Sequence, residues 1–223
     1  MKNRLEVLFE ENRTAEAYAR GYAERMREIL SSLAFPRIQE LVEAFGQIRE
    51  AKGTLYLAGN GGSAAVCSHL ANDLGAMASE GGKLPVRAVS LTDNTPFITA
   101  LANDTGFENV FLNQLLPLFR EGDALLVISG SGNSENLVRA VRFANERGGL
   151  TLGILGFDGG LLKSLCRLAL HIETDRREYG PAEDLFMIVG HMITTFIAFD
   201  MGLFGKPPSH PCHRVLHDRD LPR

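Results

Sequence analysis

The sequence predicts an α/β fold in which a parallel sheet carries helices on both faces. Three observations lead there. Five apolar runs of strand length recur after residue 52, helical stretches separate them, and three of the runs end in short loops rich in glycine, serine and small polar residues. Strands that alternate with helices form parallel sheets covered on both sides, and ligands of such sheets sit beyond the carboxyl ends of the strands.

Taken in order, residues 4–33 read as a helix, because Leu5, Leu8, Phe9, Ala15, Tyr18, Tyr22, Met26, Ile29 and Leu30 recur at helical spacing. Pro36 interrupts it, and Ile38, Leu41, Val42, Phe45 and Ile48 form a second apolar stripe. Two helices are too few for a bundle of their own, so residues 1–52 are expected to pack on the core and on a neighbouring subunit. The five runs are TLYLAG (54–59), VRAVSL (86–91), ALLVIS (124–129), LTLGIL (150–155) and LALHIE (168–173). The core domain is expected to span 53–204, and the proline- and charge-rich stretch 205–223 to form a surface tail.

The loop after the first run, Gly59-Asn60-Gly61-Gly62-Ser63, lets the backbone approach a ligand and opens a helix whose N–H groups favour an anion. Neither the dinucleotide fingerprint nor the G-K-[ST] phosphate loop is present. One such loop often serves only as a turn. A second one, Ser129-Gly130-Ser131-Gly132-Asn133-Ser134, follows another apolar run, and its three hydroxyls suit phosphate oxygens, Ser134 also being placed to cap the next helix. Two loops on one sheet edge point to a phosphate ester. Further along the first helix, His69 and Asp73 are four residues apart and share a face.

A formal net charge of −4 offers no basic footprint for nucleic acid. Three scattered cysteines, Cys67, Cys166 and Cys212, imply a reducing compartment and no disulfide framework, and the charged N-terminus has no apolar signal core, so a cytoplasmic location is expected. The apolar run 185–204 approaches membrane-span length, but His191, Thr194, Thr195 and Asp200 interrupt it. It reads as a buried helix rather than a membrane segment.

The motifs GNGGSAA, ALANDTGFENVF, GDALLVISGSGNSENLVRA and FDGG, with the helices of His69 and His191, resemble the sugar isomerase (SIS) domain family, in its phosphoheptose isomerase branch. The resemblance implies a five-stranded parallel sandwich of flavodoxin-like, Rossmann-like type. It also implies a homotetramer with sites between subunits, and interconversion of sedoheptulose 7-phosphate and glycero-manno-heptose 7-phosphate. By the same resemblance Ser63, Ser129, Ser131 and Ser134, with Gly61, Gly62 and Gly130 in their loops, hold the phosphate, while Asn60 and Asp104 line the sugar. Gly130 stands where a threonine is common.

The family's metal and catalytic positions fall on His69, Asp73, Glu183 and His191, and several members bind zinc there. Two imidazoles and two carboxylates suit Zn2+ or another borderline divalent ion. Glu183 and His191 lie about 80° apart on a helical wheel. Asp73 is expected to be the carbon-acid base and His191 its acid/base partner in an enediol mechanism, with Glu183 also contacting substrate. The chain departs from the family pattern at Asp73, where glutamate is usual, and at Glu183, where glutamine is. Met77 replaces an arginine and Gly180 an aspartate, within an unusual YGPAED stretch. These changes bear on the pocket that reads the sugar, so an isomerase of another heptulose or octulose phosphate stands as the alternative. A non-catalytic sugar-phosphate or replication-initiator-binding member is the other, disfavoured because four ionisable groups are kept. His210, Cys212, His213 and His217 read as a solvated tail rather than a second metal site, and Cys67 as a small core residue.

Overall fold

The computed structural model describes residues 2–76 and 86–202. Met77 and the predicted tail with His210, Cys212, His213 and His217 therefore lie outside the described residues.

The single helix predicted over 4–33 is two helices, α1 (Arg4–Glu11) and α2 (Ala15–Ser31). Polar side chains at the junction cause the break. Asn12 leaves the helical region at φ −126°, and the Thr14 hydroxyl accepts the N–H of Ala17 at 3.2 Å to start a new helix. Then α3 (Phe35–Glu50) begins with Pro36 in its first turn, where the missing N–H is harmless.

The remainder alternates as β1 (Thr54–Gly59), α4 (Gly62–Ala76), β2 (Arg87–Ser90), α5 (Thr95–Thr105), a 3-10 turn at Phe107–Asn109, α6 (Val110–Leu118), β3 (Ala124–Ser129), α7 (Glu135–Glu146), β4 (Leu150–Leu155), α8 (Leu162–Leu165), β5 (Leu168–His171) and α9 (Tyr179–Asp200). All neighbouring strands pair in parallel, in the order β2-β1-β3-β4-β5. This is a five-stranded parallel α/β sandwich of flavodoxin-like order. The order reverses between β1 and β3, and at such a switch point the loops leaving the two strands diverge and open a crevice. The two glycine- and serine-bearing loops are those that follow β1 and β3.

Side-chain alternation along the central strands builds a core on each face of the sheet. Leu55, Leu57, Leu126 and Ile128 pack with α3, α4 and α9, while Tyr56, Ala58, Leu125 and Val127 pack with α6 and α7. β1 and β3 are buried along their whole length. By length and composition α9 is apolar enough to cross a membrane, yet Leu185, Phe186, Val189 and Ile193 are fully buried against the sheet and α4. It is the central helix of one core.

The N-terminal helices dock on the start of α9. Arg25 donates to both carboxylate oxygens of Glu178, at 3.3 and 2.9 Å, and Glu178 is 0% exposed. The Tyr22 hydroxyl donates to Asp184 at 2.6 Å, and burial followed by this carboxylate pushes the phenol pKa up. A Cβ at residue 180 would stand 3.0 Å from the Tyr22 oxygen, so Gly180 makes room for this contact. Both described cysteines are free and buried. Burial raises both thiols, Cys166 to about 12, and Asp93 adds to the rise at Cys67.

Candidate active site

Beyond the ends of β1 and β3 lies a cleft of about 280 Å³, lined by Asn60, Gly61, Gly62, Ser63, Ser129, Gly130, Ser131, Ser134, Tyr179 and Glu183. Every residue assigned to the phosphate end is therefore in one place. The first turns of α4 and α7 border it, so the positive ends of two helix dipoles meet there. Ser129 and Ser131 shape the second loop by accepting the N–H groups of Gly132 and Asn133, at 3.0 and 3.3 Å. Ser134 occupies the N-cap position of α7 but makes no side-chain capping bond, contrary to the capping expected of it. The residue lines the cleft.

Asn60 is fixed by a reciprocal amide pair with Asn136, at 3.0 and 2.9 Å. Asn136 is 2% exposed, so the first loop is stitched to α7 through a buried contact. Tyr179 forms one wall, its ring edge-on to Phe157 with centroids 5.1 Å apart. Atoms of these two rings lie 3.5 and 3.6 Å from where a Cβ at Gly130 would stand, so aromatic surface occupies the space beside the residue that replaces a threonine.

Glu183 faces the same cleft. A Cβ at residue 62 would fall 2.2 Å from its carboxyl group, so glycine is required for this approach. Burial, and then the charge of neighbouring Asp184, raises the Glu183 pKa.

The second cluster joins α4 to α9. The helices approach closely because Gly190 gives way to Leu70, whose Cδ1 is 2.6 Å from where a Cβ would be. The next residue, His191, faces His69 with Nε2 atoms 2.9 Å apart and rings edge to face. Asp73 Oδ2 lies 3.5 Å from His69 Nε2 and 3.9 Å from His191 Nε2. Such a trio meets the demands of a divalent ion, with all three donor atoms within 4.8 Å of one another. Tetrahedral zinc, with bonds of about 2.0–2.1 Å, sets its ligand atoms about 3.3 Å apart, and the observed separations bracket that value. The donors are of the imidazole and carboxylate types zinc takes.

Two predicted members are elsewhere. Glu183, expected as a fourth metal ligand, is not in this cluster and lies at the cleft beyond β1 and β3, since eight residues carry α9 about 12 Å along its axis between Glu183 and His191. Asp104 is exposed on α5, where it accepts from the Asn103 side chain at 2.8 Å, and it does not line the cleft. Sequence reasoning missed Tyr179 and Asn136. Only Tyr179, heading the unusual YGPAED stretch, carried a signal.

Residues 17–156 match the SIS domain family. The chain is 33% identical over 201 residues to a phosphoheptose isomerase from Burkholderia pseudomallei, covering 88% of this chain and 99% of the relative. Over 132 residues it is 48% identical to one from Pelobacter propionicus, with coverage of 59% and 67%. The phosphoheptose isomerase structure from Neisseria gonorrhoeae superposes with a TM-score of 0.73 at 32% identity, covering 82% of this chain and 98% of that one.

Proposed function

From the premise that this chain belongs to the SIS domain family, among the phosphoheptose isomerases, we propose that it is an aldose–ketose isomerase interconverting sedoheptulose 7-phosphate and glycero-manno-heptose 7-phosphate. One observation carries the reading. A phosphate-type cleft and an acid/base cluster lie at two stations of the same helix pair, Ser63 and Glu183 at one, His69, Asp73 and His191 at the other. Six residues of α4 separate Ser63 from His69 by about 9 Å, a span an open-chain sugar phosphate can bridge.

The phosphate docks on the hydroxyls of Ser63, Ser129, Ser131 and Ser134 and the N-termini of α4 and α7. Asn60, held by Asn136, and Glu183 take sugar hydroxyls nearer that end. Asp73 removes the proton from the carbon beside the carbonyl. The C–H electron pair becomes the enediol double bond, and His191 delivers a proton to the carbonyl oxygen. Collapse in the other sense, with the proton from Asp73 placed on the neighbouring carbon and His191 taking back a hydroxyl proton, completes the exchange of aldose and ketose. His69, Asp73 and His191 would hold a divalent ion, zinc in our reading, and when bound it polarises the sugar oxygens.

A homotetramer with sites between subunits accommodates Asp104, whose exposed position suits reaching a neighbouring copy. Free buried thiols at Cys67 and Cys166 support a reducing, cytoplasmic setting.

The test is to incubate the purified chain with sedoheptulose 7-phosphate and follow aldose formation by NMR, before and after chelation. Turnover that chelation abolishes and zinc restores is expected, with kcat lowered 10²–10⁴-fold in Asp73→Asn. No turnover of any seven- or eight-carbon ketose phosphate would sink the proposal.

A further inference from the structure

We propose that Thr194 is a positioning residue: its buried hydroxyl holds the Asp73 carboxylate facing the two imidazoles, at the third corner of the triangle they form with it. The inference rests on the reading of His69, Asp73 and His191 as the chemical centre.

Thr194 lies one turn beyond His191, on the face of α9 that packs into the core, and is 2% exposed. A helical threonine ordinarily returns its hydroxyl to a backbone carbonyl one turn back. Thr99 and Thr105 do so, bonding Thr95 and Leu101, and so does adjacent Thr195, bonding His191. Thr194 instead donates across the interface between helices to Asp73 Oδ2 at 3.4 Å. That oxygen is the one on which His69 and His191 also converge. Three groups from two helices thus address one carboxylate oxygen. The bond is long, as catalytic hydrogen bonds often are before ligand tightens them.

The geometry gives this contact a specific task. Aspartate reaches less far from α4 than glutamate does, and its side chain has one fewer torsion to adjust. A donor supplied from α9 draws the carboxylate across the gap and fixes the rotamer that presents it to the metal and to the substrate carbon. Outer hydrogen bonds of this kind govern how well a ligating carboxylate binds its metal.

The decisive measurement is Zn2+ affinity of the whole purified chain, stripped of metal and titrated against a chelating indicator. Thr194→Val keeps the shape and removes the donor. It is expected to bind zinc about 10–100-fold more weakly, while Thr194→Ser, which keeps the hydroxyl, binds as the parent does. In turnover, kcat falls in the same order with KM for the sugar phosphate unchanged. Should Thr194→Val fail to fold because a methyl group meets the carboxylate, Thr194→Ala removes the donor without placing an apolar group there, and comparison with Thr194→Ser, which lacks only the methyl, isolates the hydroxyl. Parent-like affinity in the variant lacking the hydroxyl overturns the inference, and so does equal loss in Thr194→Ser, which would assign the effect to the packed methyl group. Asp73→Ala separates the two levels. If it binds zinc like the parent, the reading of the centre itself falls and Thr194's role with it. If it loses zinc while Thr194→Val does not, only the role of Thr194 is refuted.

Discussion

At Asp73 a single carboxylate oxygen answers to His69, His191 and Thr194, whereas Glu183 meets a different environment a few turns away. Burial and Asp184 both disfavour the ionised form of Glu183, so the folded pKa is higher than the unfolded one. Glu183's contribution to stability is fully present below its unfolded pKa and lost as pH rises through the raised folded value. Glu183→Gln is therefore expected to match the parent's melting temperature in acid and to exceed it at neutral pH. Melting curves at pH 4 and pH 7 check this, and a gap that closes with rising pH contradicts it. His69 and Asp73 were legible as a pair because four-residue spacing is a local property of a helix. Thr194 and Asn136 were not, since what distinguishes them is a partner 121 and 76 positions away. Glu183 was placed with the metal ligands by resemblance, and only the position of its helix turn showed the carboxyl against Gly62, in the cleft beyond β1 and β3.

Among elements, the docking of α2 on the first turn of α9 bears on the site, because the same turn carries Tyr179 and leads into Glu183. Its strongest tie is Arg25 to the fully buried Glu178, which also accepts the Asp175 N–H at 2.7 Å. Removing the guanidinium strands a buried carboxylate, and Arg25→Ala is expected to cost about 3–5 kcal/mol. Arg20→Ala, which breaks the exposed pair with Glu16 on the same helix, is expected to cost about 0–1 kcal/mol. Urea unfolding of the two variants makes the comparison, and equal losses contradict it. Five strands and their parallel sense could be read from short apolar runs, and β1, β3 and β4 have the predicted limits. The edge strands β2 and β5 stop short of their runs, where pairing to a single neighbour ends. The break between α1 and α2 was hidden, because apolar periodicity continues across Asn12 and Thr14 while their side chains cap separate helices.

For the molecule as a whole, α9 turns one face into the core and leaves Met192 and Phe196 exposed at 37% and 51%. Exposed apolar surface along a core helix is the material of subunit contacts. With the tetramer proposed above, Phe196→Asp is expected to reduce the particle from four copies to two or one, as read by sedimentation equilibrium; an unchanged mass contradicts a contact there. The order of strands, and with it the crevice, is a global property: only the fold brings the loops after β1 and β3 together across some seventy residues of chain. Burial of Cys67 carries a last consequence. Its sulfur lies beneath α4, 0% exposed and two residues before His69, with its thiol held in the unreactive protonated form. An alkylating reagent can mark it only in molecules whose α4 has lifted from the sheet. With Cys166 and Cys212 replaced by alanine, each covalent tag becomes a permanent record of one such excursion, and the rate of tagging is a clock for how often the helix bearing His69 and Asp73 lets go.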